Sequence, residues 1–517
     1  MRYFVLLLTV VLLQACGNSS GPSTTSLGIG SADAAAATAA VFPLLKATRG
    51  TNPGVYDDQG RFVLLRGVNY TSLGDYYIQY PENPTPVPAK AGDYAQMAAL
   101  GMNSIRLIVH WSALEPVPGQ YSSAYLARVR EQVRLAAAQG LYVILDMHQD
   151  AWGKYISSRD LGDGASCVPP LAQAVGWDGA PQWATITDGQ LSCRVAQREL
   201  SGATAQSFTN FYNDRNGIQT RFIAMWQRLV REFASDRNVA GYDIFNEPHP
   251  GFFPQADAAL LTPFYGNLIT AIRAAEKSTP GGLEHIVFFE PSIEWSLAGE
   301  TATVPPNFTA DTNIVFAPHN YCGTFNQLPP SQCFANSKTH SDLYGITFFS
   351  GEWGFYGDLA AAAAPMITFA NLEDQYRVGG SFWVWEQACG DPHSLQPLSP
   401  TTSGIGTVPA ETVSVKRLKC PGQEDQGAVV QYTLPLSRAY PKAAPGVLSS
   451  LVADVVKGTL DLTGQTSNPG TLEAWVPARI GTPTVTGSNI GPVTLHAVPG
   501  GWQLRIPVQG TYQLQVR

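Results

Sequence analysis

The chain has 517 residues, enough for one large domain and a smaller one, and its 44% apolar content supports a sizeable core. Its 40 acidic residues outnumber 32 basic ones, giving a net charge of −8 with no basic block, which excludes a nucleic-acid partner. The 11 Trp, 21 Tyr and 22 Phe suit sugar or lipid recognition, and suit a large core equally well.

In chain order, Arg2 precedes an apolar run from Tyr3 to Leu13, too short to span a bilayer as a mature helix. The run ends in Gln14-Ala15-Cys16-Gly17 and reads as an export signal over residues 1–16. Its LQAC ending resembles a bacterial lipoprotein signal, with Cys16 as the lipidated first residue; ordinary cleavage beside an incidental cysteine is the alternative. Residues 17–45 follow, small and polar for most of their length, as a flexible tether. The expected product is exported and held on a bacterial membrane, facing the periplasm or the exterior, through the lipid on Cys16. Setting Cys16 aside leaves Cys167, Cys193, Cys322, Cys333, Cys389 and Cys420, an even number for an oxidising compartment. Fifteen pairings are possible; the local ones, Cys167–Cys193, Cys322–Cys333 and Cys389–Cys420, are expected.

Eight short β-rich runs then occupy 61–69, 102–110, 141–149, 240–248, 284–292, 312–320, 346–354 and 380–387. Each is nearly continuous in apolar residues, the pattern of parallel strands covered on both faces. Helical patterns at 122–140, 216–235 and 262–278 lie between several of them, and Gly101 and Gly140 close two helices just before the next strand. The alternation predicts a (β/α)8 barrel over residues 46–445. An open doubly wound sheet lacks support, because no GxGxxG follows the first strand. From residue 446 to 517 the chain turns to short alternating runs such as TLEAWVP and GWQLRIPV, which predict a small antiparallel β-sandwich domain.

Barrel chemistry gathers at the C-terminal ends of the strands. Here the second run carries Arg106 and the third ends in His148-Gln149-Asp150. The fourth ends in Asn246-Glu247, the sixth in His319-Asn320-Tyr321, the seventh in Glu352-Trp353, and the eighth holds Trp383 and Trp385. Strands four and seven face each other across a barrel mouth, so Glu247 and Glu352 are expected on opposite sides of one cleft. Two such carboxyls cleave glycosidic bonds: one protonates the leaving oxygen, while the other attacks the anomeric carbon or activates water. Asn246 suits a sugar 2-hydroxyl, Tyr321 and Arg106 suit donation to Glu352 to keep it ionised, and an indole suits an apolar sugar face. Asp150 reads either as a sugar ligand or as a cap. Glu290, Glu294, Glu115, Glu386 and His249 are read as structural. The long excursion over 150–215, with Trp152, Tyr155, Trp177 and Trp183, either walls an apolar groove or packs on itself.

The ordered set Arg106, His148, Asn246-Glu247, His319-x-Tyr321, Glu352 and Trp383 resembles glycoside hydrolase family 5. The resemblance implies a retaining enzyme with Glu247 as acid/base and Glu352 as nucleophile. VLLRGVNY (63–70), IRLIVHWSALEPVPGQY (105–121), LDMHQDAW (145–152), GAPQWAT (179–185), APHNY (317–321) and SGEWG (350–354) are most similar to the endoglycoceramidases of that family. Those enzymes release an intact glycan from ceramide, and their match to Asp150 implies contact with the first sugar. The loop 71–88 departs from them in having no lysine before Lys90, which leaves the headgroup open. A glucosylceramidase, a galactolipid or steryl-glucoside enzyme and a β-glucanase or mannanase of the same family are the alternatives; a silent surface lectin is not favoured by two intact glutamates. Neither metal nor organic cofactor is implied. A glycolipid or oligosaccharide is the expected partner, and the chain is expected to act as a monomer.

Overall fold

The computed structural model describes residues 42–517, except 75–86, 175, 196–198, 253–256, 300–307, 356–358, 390, 392–410, 413 and 421. The export signal, Cys16 and most of the expected tether lie outside the described residues. The tether's last expected residues are held in place: Phe42 packs edge-on against Tyr142 at 5.0 Å, and Leu45 begins a strand.

The eight parallel strands are Arg66–Tyr70 (β1), Ser104–His110 (β2), Tyr142–His148 (β3), Val239–Asp243 (β4), Ile286–Phe289 (β5), Ile314–Phe316 (β6), Ser350–Trp353 (β7) and Gly380–Phe382 (β8). They follow one another in the order β7-β8-β1-β2-β3-β4-β5-β6. The ring closes between β6 and the approach to β7, where Phe349 N donates to Phe316 O at 2.8 Å and Phe316 N to Thr347 O at 3.2 Å. The expected helices form at Ser123–Ala138, Ile218–Phe233 and Thr262–Ser278. Ser122 caps the first, its Oγ accepting from Tyr125 N at 3.1 Å. The second buries Ile218, Phe222, Met225, Trp226, Leu229, Val230 and Phe233, one stripe of a 3.6-residue period.

Side chains alternate across each strand. On β3, Val143, Leu145 and Met147 join the outer core under the helices, while Tyr142 and Ile144 turn to the barrel axis. The inner row of β3 thus reads Tyr142, Ile144, Asp146, His148, passing from apolar to ionisable as it climbs. The same row on β5 reads Ile286, Phe288 and then Glu290. The barrel is therefore plugged with apolar groups at its base and lined with charge at its rim.

The base is closed by a nine-stranded antiparallel sheet. Five of its strands come from the tail, at Val447–Ala453, Leu460–Pro477, Val485–Ile490, Thr494–Val498 and Gly501–Val516. The other four are Leu45–Thr48, which begins at the end of the expected tether, and Gly54–Asp57, Arg61–Val63 and Tyr440–Pro445 from the stretch expected to be barrel. The expected border at 445/446 therefore cuts through one sheet. The run 61–69 divides for the same reason: Arg61 is tied into the sheet by Asp57 at 2.7 Å and Glu473 at 3.1 Å, and only from Arg66 does the chain enter the barrel. Leu460–Pro477 and Gly501–Val516 pair along both halves and change neighbours midway, at irregularities between Thr466 and Gly470 and between Ser488 and Ile490 on the strand beside them. Leu448, Leu451 and Leu462 of one half share a core with Leu472, Leu504 and Ile506 of the other. The seam with the barrel includes Gly101, at φ +83°, where an added Cβ would lie 2.4 Å from the Trp475 indole.

All three expected disulfides are present, with Cα–Cα separations of 5.1 Å for Cys167–Cys193, 6.2 Å for Cys322–Cys333 and 5.5 Å for Cys389–Cys420. The excursion over 150–215 packs both on itself and on the segment that follows β2. Trp152 meets Phe208 and Phe211 at 4.9 and 5.4 Å, Trp183 meets Trp111 at 5.1 Å, and Trp177 is buried. Among the described residues, no helix is long and apolar enough to cross a membrane.

Candidate active site

The chain beyond β4 explains how an apolar strand delivers a carboxylate. Ile244 and Phe245 stay buried in the outer core, and Asn246 N donates to Met147 O of β3 at 3.1 Å. The Gln149 amide then holds the carbonyls of Asn246 and Glu247 at 2.7 and 2.9 Å. Glu247 itself sits at φ +36°, a left-handed conformation uncommon for a residue with a Cβ. Its N–H donates to Glu290 Oε2 at 2.8 Å, which helps to hold that conformation.

Glu247 and Glu352 meet over the barrel axis. One oxygen of each lies within 4.8 Å of the other and of a His319 ring nitrogen. Glu247 Oε1 accepts from Ser296 Oγ at 2.5 Å and lies 2.9 Å from His319 Nδ1. Glu352 Oε1 accepts from Arg106 Nη1 at 2.8 Å, and its Oε2 accepts from Tyr321 Oη at 2.7 Å. His319 Nδ1 is 3.4 Å from that same Oε2, and its Nε2 is 3.1 Å from Glu290.

Arg106 organises this cluster. It is wholly buried, and an unpaired guanidinium there would be strongly destabilising. Its Nε donates to Asp243 at 2.8 Å and its Nη1 reaches Asn69 at 3.0 Å besides Glu352. Its Nη2 lies 2.9 Å from each of Asn246, Glu290 and Asp146. Four carboxylates thus share one guanidinium. Burial opposes the arginine's charge, but Asp146, Asp243, Glu352 and Glu290 outweigh it and hold its pKa well above the usual value. The carboxylates respond in turn. Burial raises Asp243 well above the carboxylate range, against Arg106 and with Glu290 and Asp146 adding to it. Burial also raises Glu352, opposed by His319 and Arg106 and reinforced by Glu247. The donors to Glu352 are therefore in place as expected, but burial outweighs them. Burial pushes His319 down, yet Glu290 and Glu352 carry it well above the ordinary imidazole value.

His148 ends the inner row of β3. Its Nδ1 is 2.7 Å from Asp146 and its Nε2 is 3.4 Å from Asp150. Burial disfavours its charge, but Asp146 and Asp178 raise it to about 10. The Trp383 indole lies parallel to the His148 ring, with centroids 5.6 Å apart, and packs with Tyr321. The structure thus gathers Arg106, His148, Asp150, Asn246, Glu247, His319, Tyr321, Glu352 and Trp383 at one rim. Trp385 is separated from them: it is fully buried in the outer core, and its backbone N–H donates to Asn69 O at 3.0 Å, so its indole is core packing rather than a sugar floor.

Three groupings here are compact enough to hold an ion: Glu247-His319-Glu352, His148-Asp150-Asp178 and Asp146-Asp243-Glu290. His319 and His148 are both biased to the protonated form, which has no ring lone pair to give a metal. The arrangement suits proton transfer and hydrogen bonding.

Glu290, read as structural, supports the reacting groups: it touches Arg106, His319 and the Glu247 backbone. Its parity with Ile286 and Phe288, continued one step up the strand, is the signal that locates it. Asp146 reads by the same parity on β3. Ser296, on the short helix Glu294–Ala298, carries no such signal.

A family model described as cellulase, glycosyl hydrolase family 5, matches residues 57–388. The chain is 25% identical to an endoglycoceramidase of Cyanea nozakii over 357 residues, covering 64% of this chain and 67% of that one. It is 27% identical to endoglycoceramidase I of Rhodococcus hoagii over 280 residues, covering 52% and 51%, so the chain spans about half the length of that relative. A crystal structure of an endogalactoceramidase superposes with a TM-score of 0.82 at 39% identity, covering 91% of this chain and 99% of that one. The lactosyl-enzyme structure of endo-glycoceramidase II from Rhodococcus sp. shares the fold, with a TM-score of 0.66 at 22% identity over 89% of this chain and 98% of that one.

Proposed function

Because the chain belongs to glycosyl hydrolase family 5, we propose that it is a retaining β-glycosidase cutting between the glycan and the ceramide of glycosphingolipids. Glu352 is the nucleophile and Glu247 the acid and then the base. The observation that carries this reading is that one oxygen of each carboxyl lies within 4.8 Å of the other, both beside His319 Nδ1. A separation of about 5–5.5 Å suits direct attack, whereas inversion needs about 6.5–9.5 Å to seat a water between them.

In the first step Glu352 attacks the anomeric carbon, the bond to the ceramide oxygen breaks, and Glu247 gives that oxygen its proton. Ceramide leaves as an alcohol and the glycan remains as an ester on Glu352. In the second step Glu247 takes a proton from water, the water oxygen attacks the same carbon, and Glu352 departs as a carboxylate. Two displacements return the original configuration. Arg106 and Tyr321, one on each oxygen of Glu352, stabilise the charge that returns to it. His319 and Ser296 stabilise Glu247 once it has lost its proton. Asn246, His148, Asp150 and Trp383 hold the sugar. This chemistry requires neither metal nor cofactor.

The ceramide side of the reading is supported by the likeness to the endogalactoceramidase structure. Fluorescent glycosylceramides assayed against cellulose, mannan and laminarin test it, with mass spectrometry of the products reporting headgroup and bond position. Turnover of the glycolipids alone is expected; turnover confined to the polysaccharides would replace ceramide with a glucan groove. The enzyme would act as a monomer and reach a membrane through a lipid on Cys16. Incorporation of labelled palmitate into the wild type and not into Cys16→Ala tests the anchor.

A further inference from the structure

The two carboxyls of the cleft are held in different ways. Glu352 has a donor on each oxygen, Arg106 on Oε1 and Tyr321 on Oε2. Glu247 has both of its donors on one: Ser296 Oγ at 2.5 Å and His319 Nδ1 at 2.9 Å meet the same Oε1. His319 acts there as a donor, because the ring is held protonated with Glu290 3.1 Å from its Nε2. Among the described residues Glu247 Oε2 makes no hydrogen bond, yet it is not shut away from solvent: Glu247 keeps 8% exposure, and this oxygen is not one of the buried atoms left without a partner. An oxygen that accepts two hydrogen bonds is the carbonyl oxygen of a carboxylic acid, and the proton sits on the other.

Ser296 is buried, and its backbone is tied down on several sides. Its helix, Glu294–Ala298, follows Ile293, whose N–H donates at 3.0 Å to the carbonyl of Pro248, the residue after Glu247. The Trp295 indole N–H donates to Asn320 Oδ1 at 3.2 Å, and the Ser296 carbonyl accepts from Asn326 Nδ2 at 3.2 Å. Asn326 lies in the loop closed by the Cys322–Cys333 disulfide. Where the helix ends, the Gly299 carbonyl accepts from Asn336 Nδ2 at 3.0 Å. The segments that follow β4 and β6 thus fix the helix, and the helix fixes where the hydroxyl meets the acid.

We propose that Ser296 is a positioning residue that, together with His319, confines the transferable proton of Glu247 to Oε2, the oxygen open to solvent. The proposal rests on the glycosidase reading of the carboxylate pair. In the first step the proton leaves Oε2 for the ceramide oxygen, as the bond from that oxygen to the anomeric carbon breaks and Glu352 bonds to the carbon. The charge left on Glu247 is shared with Oε1, where both hydrogen bonds become stronger. In the second step Oε2 takes a proton from the attacking water. Without the hydroxyl the proton is less strictly held to Oε2, and fewer molecules present it to the leaving group.

The test uses the whole chain with Ser296→Ala, and with Ser296→Cys, whose thiol is a weaker donor. kcat/KM is measured on ceramide-linked and on dinitrophenyl-linked β-glycosides of glucose, galactose and lactose. The ceramide oxygen must be protonated as it leaves, whereas dinitrophenolate leaves unaided, so the ratio of the two reports the acid. Ser296→Ala is expected to lower kcat/KM on the ceramide glycosides by about tenfold more than on the dinitrophenyl ones, a fraction of what removing the acid outright would cost. Ser296→Cys should move the ratio in the same direction by a smaller factor, and retained cleavage of the dinitrophenyl glycosides shows that each variant has folded. A loss on the ceramide glycosides no greater than that on the dinitrophenyl ones would overturn the positioning role while leaving the glycosidase intact. Wild-type protein that cleaves neither kind of glycoside would instead remove the glycosidase reading.

Discussion

Two buried ion clusters sit at opposite ends of this barrel, and they are built to different rules. At the base, Arg66 and Arg438 meet Glu373 and Asp374: Arg66 pairs with Asp374, and Arg438 reaches Asp374 at 3.0 Å and Glu373 at 2.6 Å. Two cations face two acids. Arg66 also lies over the Tyr440 ring at 4.4 Å, tying β1 to the antiparallel sheet. At the rim a single arginine faces Asp146, Asp243, Glu290 and Glu352. The surplus of acid there raises His319 and His148 against the pull of burial, while burial above all raises Asp243 and Glu352, as it does Glu373 at the base. A balanced cluster fixes structure; an acid-rich one holds protons that can move, which acid-base catalysis needs.

The contrast is most sharply broken by removing one charged group from each end: an acid at the rim and a cation at the base. Glu352→Gln or Glu247→Gln should lower kcat by roughly four orders of magnitude, with Tm unchanged or raised, since the crowded rim loses a buried acid. Glu352→Gly supplied with azide should regain cleavage and give a product of inverted configuration. At the base the effects should reverse. Arg438→Met strands Glu373 without its ion-pair partner and leaves Asp374 with Arg66 alone, and should destabilise by about 3–5 kcal/mol in denaturant titration, while kcat per folded molecule is kept.

The smallest effect is in pH. The folded His148 titrates at about 10, above the unfolded value of about 6.5. Its contribution to stability is therefore complete below about pH 6.5 and is lost as pH rises through about 10. Thermal melts across that window should show a falling Tm, and His148→Asn should flatten the slope. An unflattened slope would assign it to other groups.

Much of this architecture was legible because its signals are local. Continuous apolar runs marked all eight barrel strands, and the polar residues ending them marked the rim. Cysteines close in sequence found their partners. The failures share a cause as well. A run such as 61–69 reports burial but not which sheet buries it, so its division at Leu64 and Leu65 was invisible. Trp383 and Trp385 look equivalent by spacing, yet one packs in the cleft and the other in the outer core. For Trp152 and Trp183 the sequence leaves groove wall and packing both open, because their partners, Phe208 and Trp111, lie on other elements.

The sheet at the base also has a consequence for how the chain comes together. Arg61–Val63 pairs with Ala443–Pro445, and that strand in turn pairs with Glu473–Trp475. Leu45, Ala47, Val63 and Ala443 share a core with Ile144, Ile286 and Phe288, so this sheet is the floor on which the inner rows stand. The three earliest strands pair with one another, but the outer edge of Arg61–Val63 must wait for Ala443–Pro445, until most of the polypeptide has been made. A fragment cut at residue 445 keeps every group of the reaction centre but bares a strand edge and uncovers Gly101, and aggregation rather than a smaller working enzyme is its expected fate.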